Sequence, residues 1–164
     1  MAQGGAGSAG AAGAVFRGVT QLALDAKGRF AVPGKHRIAL AGAIDGSERT
    51  LIVTADPSRC LLLYPRATWE PIQARLMSLS SFNAEIRGLQ RLLVGHADEV
   101  DMDSTGRILV PPALRQHAEL EHRVVLVGQG NKFELWDETK WQQTTATIAF
   151  PSGGLPPELD GFSL

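Results

Sequence analysis

The apolar residues of this chain fall into short runs between turn-forming residues, and the runs form two matching series. The first series predicts two strands around a tight turn, a short helix and two buried strands, at residues 19–24, 30–32, 33–40, 51–54 and 60–64. The second series predicts the same order of elements, at residues 99–102, 108–110, 111–117, 124–127 and 132–136. Runs of four to eight apolar residues are typical of buried strands. Each series therefore predicts a β-β-α-β-β unit with a helix after it.

One motif occurs in both series and shows how they are related. Residues 25–33 read DAKGRFAVP, residues 103–111 read DSTGRILVP, and an arginine follows four residues after each proline, at Arg37 and Arg115. Two copies are too few for a solenoid, in which many repeats stack. The chain is therefore predicted to be a fused pair of half-domains, each burying its apolar face against the other.

The aspartate and glycine of each motif predict a tight turn. Asp25 and Asp103 stand at the first turn position, where the side chain can accept hydrogen bonds from the turn's own backbone. Gly28 and Gly106 stand at the fourth position, where a positive φ is accommodated without a Cβ clash. These four residues are predicted to shape the hairpins, and so is Arg107, which can pair with Asp103 across its turn.

Between the two series, apolar residues recur at helical spacing. Residues 66–79 and 83–94 predict two helices that form a hairpin bridging the halves. The predicted organisation has four parts: a Gly/Ala-rich disordered tail, a first repeat with the helical hairpin, a second repeat and a flexible C-terminal tail, at residues 1–14, 15–95, 96–145 and 146–164. The predicted fold class is α+β, with two fused β-β-α-β-β-α repeats.

Composition restricts the class of protein further. The chain has 164 residues, 44% of them hydrophobic and 20% charged, which suits one globular domain. Cys60 is the single cysteine, so no intrachain disulfide can form and a reducing compartment is expected. No apolar run approaches the roughly 20 residues that span a bilayer, and the uncharged N-terminus is a poor signal peptide. We therefore expect a cytoplasmic protein without a membrane partner.

The net charge of −1 conceals a difference between the two halves. Residues 1–80 carry nine Lys and Arg against five Asp and Glu, whereas residues 81–164 carry seven against twelve. Around the first motif, residues 16–37 contain five basic residues and one acidic residue: Arg17, Lys27, Arg29, Lys35, Arg37 and Asp25. Residues 96–117 contain four acidic and two basic residues. The asymmetry suggests that the first copy meets a polyanion; two ordinary solvated surfaces are the alternative.

Residues for catalysis or for metal binding are not arranged in any familiar pattern. The four histidines lack metal-ligand spacing, Cys60 has no cysteine partner, and the serines lack a nucleophile motif. We therefore expect no catalytic residues, no metal, no cofactor and no small-molecule substrate, and the chain is predicted not to be an enzyme.

Arg29 has two interpretations. A two-stranded ribbon fits the major groove of DNA, where arginine can hydrogen-bond guanine and lysine can meet phosphates. In that interpretation Arg29 contacts DNA, and Lys27, Arg17, Lys35 and Arg37 are phosphate candidates. In the other, Arg29 pairs with the aspartate four residues back and simply locks the hairpin. The basic surroundings favour DNA for Arg29, and the acidic surroundings of the second copy favour structure for Arg107.

From residue 15 to about residue 142 the chain resembles the MraZ family of bacterial transcriptional regulators. The matching segments are FRG near the start, LDAKGRFAVP, CLLLYP, RLLVGHADEVDMDSTGRILVPP and NKFELWD, in that order. The resemblance implies a pseudo-two-fold, swapped-hairpin β-barrel of the AbrB type with flanking helices. It also implies a D-x-x-x-R motif at Asp25/Arg29 and at Asp103/Arg107.

The resemblance implies a function as well. It implies a nucleoid-associated regulator that binds repeated boxes in double-stranded promoter DNA of the division and cell-wall gene cluster. It further implies a homo-oligomeric ring, whose several hairpins would gain avidity without high charge per chain. Because family members usually begin at Met-Phe-Arg-Gly, we hypothesise that native translation starts at Val15. A protein-interaction module, antitoxin-like or scaffold, is the alternative function; an enzyme is a third and is disfavoured by the missing constellation.

Overall fold

The computed structural model describes residues 15–43, 49–148 and 156–162, and it contains the same order of elements twice. The first copy consists of β1 (Phe16–Ala23), β2 (Arg29–Ala31), α1 (Gly34–Ala43), β3 (Thr50–Ala55), β4 (Leu61–Pro65) and α2 (Arg66–Ser78). The second consists of β5 (Asp98–Asp101), β6 (Arg107–Leu109), α4 (Pro112–His117), β7 (Arg123–Gly130), β8 (Phe133–Asp137) and α5 (Glu138–Ala146). Between them, α3 (Ala84–Leu89) runs into a π-helical turn (Gln90–Val94). The mixed α+β class and the duplication are confirmed.

The strands exchange partners between the two copies. All pairs are antiparallel, and six strands form one sheet in the order β1-β7-β8-β4-β3-β5. Strand β1 of the first copy pairs with β7, the third strand of the second copy, and β5 of the second copy pairs with β3, the third strand of the first. The two short strands β2 and β6 pair only with each other, in a separate two-stranded sheet. Neither copy could therefore complete its strand pairing alone.

Two strand pairs show that the copies are related by a pseudo-two-fold axis. In the β2–β6 pair, Phe30 lies opposite Ile108, the residue 78 positions further along the chain. In the β4–β8 pair, Leu62 lies opposite Glu134. Each of these residues is opposite its own counterpart, as a two-fold axis between the strands requires. The two turns that precede β2 and β6 are therefore placed symmetrically about this axis.

The predicted closed barrel is not found among the described residues. The larger sheet has two free ends, β1 and β5, and no strand pair joins them. The physical reason is that β2 and β6 have three residues each and form their strand-to-strand hydrogen bonds with one another. They therefore form a separate ribbon instead of closing the sheet.

The four central strands of the large sheet are buried on both faces. One face carries the main core, which also includes Phe30 and Ile108 of the ribbon. On the other face, α2 buries Trp69 against β3 and β4, and Trp141 of α5 packs against Trp136 of β8. Burial on both faces explains why these strands read as continuous apolar runs in the sequence. The core thus holds the ribbon rigidly against the sheet, with one ribbon face outward.

Some predicted segments fall wholly or partly outside the described residues. The predicted tail at residues 1–14 is one of them. Of the predicted C-terminal tail at 146–164, residues 149–155 and 163–164 are outside, and a short 3-10 turn lies at Pro157–Leu159. The helical hairpin is present, and the buried Gln90 links its arms by donating from Nε2 to the carbonyls of Leu76 and Leu79, at 2.9 and 3.1 Å.

Candidate nucleic-acid interface

The first turn is built around the carboxylate of Asp25. Its Oδ1 accepts from the backbone N–H of Lys27 and of Arg29, both at 2.9 Å, and its Oδ2 accepts from Nε of Arg29 at 2.8 Å. The backbone N–H of Gly28 donates to the Asp25 carbonyl at 3.0 Å, which closes the turn. One carboxylate therefore fixes both the turn backbone and the inner edge of the arginine guanidinium.

The ionised state of Asp25 is strongly favoured. The hydrogen bond from the Arg29 backbone is the largest cause, and together with the guanidinium it lowers the pKa of Asp25 from 3.8 to about 2. Asp25 is therefore ionised throughout the neutral range, and the Asp25–Arg29 contact persists there.

The guanidinium of Arg29 keeps its outer edge available. Asp25 engages Nε, and neither terminal nitrogen donates a hydrogen bond to any residue in the described ranges. The side chain is 29% exposed, so it is partly held by its neighbours and partly in solvent. The two interpretations of Arg29 are thus compatible in geometry, because the pairing with Asp25 leaves the two terminal nitrogens that a bidentate contact to guanine requires.

The second turn repeats this arrangement with one addition. Asp103 accepts from the backbone of Arg107 at 2.8 Å and from Nε of Arg107 at 3.1 Å. Thr105 occupies the position that Lys27 has in the first turn. Its hydroxyl donates a hydrogen bond to Asp103 at 2.8 Å and accepts one from Nε of Arg107 at 2.9 Å. These bonds hold the pKa of Asp103 well below its usual range, the Arg107 backbone bond being the largest cause. Arg107 is therefore restrained by two side chains, whereas Arg29 is restrained by one.

Each turn glycine is covered by an arginine from the other copy. Gly28 has φ +84°, and a Cβ there would lie 2.4–2.7 Å from the guanidinium of Arg115. Gly106 has φ +79°, and a Cβ there would lie 2.6–3.0 Å from the side chain of Arg37. The positive φ thus favours glycine at both positions, and a Cβ there would displace the arginine side chain that covers it. The exchange places Arg37 at the second turn and Arg115 at the first.

Both turns are tied together through the ribbon. The backbone N–H of Val32 donates to the Gly106 carbonyl at 2.9 Å, and that of Val110 donates to the Gly28 carbonyl at 3.0 Å. Phe30 and Ile108 point into the core and are 1% and 0% exposed. Side chains alternate between the faces of a strand. The outward face of the ribbon therefore carries Arg29 beside Leu109, and Ala31 beside Arg107, as the strand register pairs them.

The four residues predicted to contact phosphates lie at three separate places in the fold. Lys27 is exposed on the first turn, next to Arg29. Arg17 is exposed on β1, and the Lys35 ammonium lies beside that strand, 2.7 Å from where a Cβ of Gly18 would stand. Arg37 is exposed but lies against the second turn. The five basic residues therefore do not form one cluster around Arg29.

Two acidic residues of the second copy have partners at the β5 edge, and one of these partners carries a positive charge. Glu99 pairs with Arg66 at 2.7 Å, and Asp101 accepts a hydrogen bond from the Thr50 hydroxyl at 2.6 Å. Arg66 offsets the charge of Glu99, whereas the neutral Thr50 hydroxyl leaves the charge of Asp101 unchanged, and surface pairs of this kind contribute little stability. The acidic character of the second copy is therefore weaker in the fold than in the sequence.

Within residues 15–43, 49–148 and 156–162, no group of three or more His, Cys, Asp or Glu side chains is placed to hold a metal ion. In those same ranges no helix is both long and apolar enough to cross a membrane.

The fold and site define a class: a duplicated α+β protein in which two Asp–Arg turns meet on one two-stranded ribbon. The chain belongs to the MraZ family, whose family model, described as "MraZ protein, putative antitoxin-like", matches residues 15–92 and 93–153. Two similar relatives are the proteins named transcriptional regulator MraZ from Nitrosospira multiformis and Nitrosomonas europaea, 58% and 55% identical over 151 residues. These alignments cover 92% of this chain and 100% of each relative.

A more distant relative carries the same name. The transcriptional regulator MraZ of Legionella pneumophila is 47% identical over 155 residues, covering 92% of this chain and 100% of that protein. These names support a role in transcription regulation and favour a non-enzymatic protein.

Two residues near the ribbon were not among the predicted site residues. Arg115 was noticed only as a repeated arginine, and its contact with Gly28 shows that it supports the first turn. Leu109 lies across the strand from Arg29, yet its sequence position marks it only as part of an apolar run. The repeated arginine was a usable signal for Arg115, whereas Leu109 needed the strand register.

Proposed function

We propose that this protein is a sequence-specific, DNA-binding transcriptional regulator whose two-stranded ribbon contacts base edges through Arg29, beside the first turn. One observation carries the proposal. The Arg29 guanidinium is held at Nε by Asp25, stands on the outward face of a two-stranded ribbon, and keeps both terminal nitrogens unbonded within the described residues. A buttressed arginine of this kind is preorganised, so little side-chain entropy is lost when it binds.

The ribbon is proposed to bring Arg29 into the major groove of DNA. A two-stranded ribbon fits the major groove, and arginine there is matched to N7 and O6 of guanine. Lys27, on the turn beside Arg29, is suited to a flanking phosphate. Arg17 and Lys35, which lie together at β1, are suited to a second phosphate position, and Arg37 to one near the second turn.

The two arginines of the ribbon are proposed to differ in role. Arg107 shares its Nε with Asp103 and Thr105, and its turn carries no lysine where the first turn has Lys27. We therefore assign base contact to Arg29 and a mainly architectural role to Arg107.

The regulator is proposed to act as a ring on repeated boxes in the promoter of the division and cell-wall gene cluster. Exposed apolar side chains support association between copies, since Phe82 is 95% exposed and Ile38 is 75% exposed. A ring would bring several hairpins to adjacent boxes, and avidity would compensate for the near-neutral net charge of each chain. Light scattering of the full chain tests the ring directly. The proposed location is the cytoplasm, at the nucleoid, and a fluorescent fusion that fills the cell evenly would contradict it.

The experiment for DNA binding uses the DNA upstream of the chain's own gene. Binding is measured by fluorescence anisotropy at several salt concentrations, with a shuffled sequence as the control. We expect tighter binding to the upstream DNA, and weakening with salt at a slope of about −3 to −4 per bound chain if all four phosphate candidates engage. Equal binding to both sequences, at every salt concentration, would contradict sequence-specific recognition.

A protein-interaction module is the second candidate, and one observation favours it. The tip of the helical hairpin exposes Met77, Leu79 and Phe82, at 54%, 48% and 95%, and no matching hairpin occurs in the part of the second copy that the structure describes. An unpaired apolar tip suits a protein partner. Recovery of a stoichiometric partner protein from cell extract, together with absence of promoter DNA from the same complex, would favour this function over the first.

A further inference from the structure

The exposed face of the ribbon has a simple composition. The register pairs Arg29 with Leu109 and Ala31 with Arg107, while the central pair, Phe30 and Ile108, is buried. Each arginine therefore has one apolar neighbour directly across the strand. Side chains opposite each other on one face have Cβ atoms about 4.5–5.5 Å apart.

The apolar neighbours differ between the two copies. Ala31 and Leu109 occupy equivalent positions, 78 residues apart, and the two-fold relation gives the smaller one to Arg107 and the larger one to Arg29. Leu109 is 48% exposed although the other two residues of its strand are better covered. The bulky apolar side chain thus accompanies Arg29, the arginine to which base contact is assigned.

The position of Leu109 suits a particular chemical group on DNA. In the major groove, thymine is distinguished by its C5-methyl group, which is recognised by apolar side chains. Successive bases on one strand are about 3.4 Å apart along the helix axis. A leucine beside an arginine that contacts guanine is therefore within reach of the adjacent base step.

We propose that Leu109 is a specificity-determining residue that packs against the C5-methyl group of a thymine next to the guanine contacted by Arg29. The inference rests on the proposed DNA-binding function and deepens it, because it assigns a second base contact to the ribbon. Arginine and leucine together read two neighbouring bases, one by hydrogen bonds and the other by apolar contact.

The experiment removes the methyl group from the DNA and the side chain from the protein, separately and together. The upstream DNA is prepared with thymine or with uracil in its place, and affinities are measured for the wild type and for Leu109→Ala. The wild type should bind the uracil DNA more weakly, by about fourfold for each contacted methyl group. Leu109→Ala should bind both DNAs with nearly equal affinity, because the contact is already lost.

Two further variants serve as controls. Leu109→Met keeps an apolar side chain of similar volume and should retain preference for thymine. Leu89→Ala removes a leucine side chain of comparable exposure, 41% against 48% for Leu109, from α3 and should retain the full preference. The double cycle separates the specific contact from any change in DNA stiffness caused by uracil, since stiffness affects every variant alike.

The outcomes are distinct. If Leu109→Ala still prefers thymine DNA as strongly as the wild type, Leu109 does not contact the methyl group and the inference is wrong. If the variant changes the subunit number instead, Leu109 lies between copies, which also overturns it. If the wild type does not distinguish upstream from shuffled DNA, the proposed function itself fails, and the inference fails with it.

Discussion

His36 is a buried histidine whose replacement by leucine is expected to stabilise the protein and to flatten its pH dependence. The side chain is 3% exposed and lies between Phe16 and Phe133, with ring centroids 6.2 and 4.7 Å away. Its Nε2 is buried and has no hydrogen-bond partner within the described residues. In the second copy the equivalent residue, 78 positions later, is the buried Leu114.

The magnitude follows from that unpaired nitrogen. A buried polar atom without a partner costs about 1–3 kcal/mol, and His36→Leu removes this cost while keeping a similar volume. In a domain of this size each kcal/mol raises Tm by about 2–4 °C. Charge adds a second contribution, because burial, assisted by Lys35, lowers the pKa of His36 from its usual 6.5. The unfolded chain therefore binds a proton that the folded chain excludes, and stability falls as the pH drops below about 6.5.

The assay is thermal unfolding of wild type and His36→Leu from pH 8 to pH 5, with His96→Asn as an exposed-histidine control. We expect a higher Tm for His36→Leu at every pH, and a difference that grows as the pH falls below about 6.5. His96→Asn leaves the buried His36 in place and should therefore still lose stability as the pH falls below about 6.5. A His36→Leu variant that is less stable than the wild type at pH 5 would refute the reasoning.

Three further predictions concern the turns and the single thiol. Gly28→Ala should destabilise the fold by about 1 kcal/mol or more and weaken DNA binding, because the φ of Gly28 is positive and a Cβ there would meet Arg115. The control Gly130→Ala, also at positive φ but in open space, should leave DNA binding unchanged in the same titrations. Asp25→Asn should weaken DNA binding, and a variant that binds DNA as the wild type does would contradict this. Wild-type binding should show no Asp25-dependent change from pH 8 to pH 5, because the pKa of Asp25 is lowered to about 2. The stabilising contacts of its carboxylate are lost only as the pH falls from 3.8 through that value. Burial raises the pKa of the Cys60 thiol, so it should react with a thiol reagent only on unfolding; rapid labelling of the folded chain would contradict it.

The duplicated architecture was predictable because it follows from turn motifs and apolar runs, which are local features of the sequence. The two D-x-x-G-R motifs predicted turns built on Asp25 and Asp103, and the carboxylates do accept the turn N–H groups. The apolar runs predicted buried strands, and the central strands of the large sheet are buried. Turn chemistry and burial pattern act over a few residues, so a single sequence carries them.

The arrangement of the side chains around the ribbon was not predictable in the same way. Arg37 follows the first motif in sequence but covers Gly106 of the second, because the strands exchange partners between the copies. Leu109 becomes a neighbour of Arg29 only through the antiparallel register of β2 and β6. Both facts depend on contacts between residues about 70–80 positions apart, which no local pattern specifies.

The barrel was predicted from resemblance, and the strand lengths decided against closure. Strands β2 and β6 have three residues each and pair only with each other. The assignment of Arg29, Lys27, Arg17, Lys35 and Arg37 to DNA binding stays a prediction, with Lys27 beside Arg29 and the other three at β1 and at the second turn.

The central claim is that Arg29 contacts DNA bases while Arg107 serves the architecture. The most direct measurement compares Arg29→Ala and Arg107→Ala in anisotropy titrations with the upstream DNA, with light scattering to verify that both variants keep the wild-type subunit number. Loss of one bidentate arginine contact should cost about 1–3 kcal/mol per site, and we expect this for Arg29→Ala and a clearly smaller loss for Arg107→Ala. Wild-type affinity in Arg29→Ala, or an equal loss in both variants, would contradict the account.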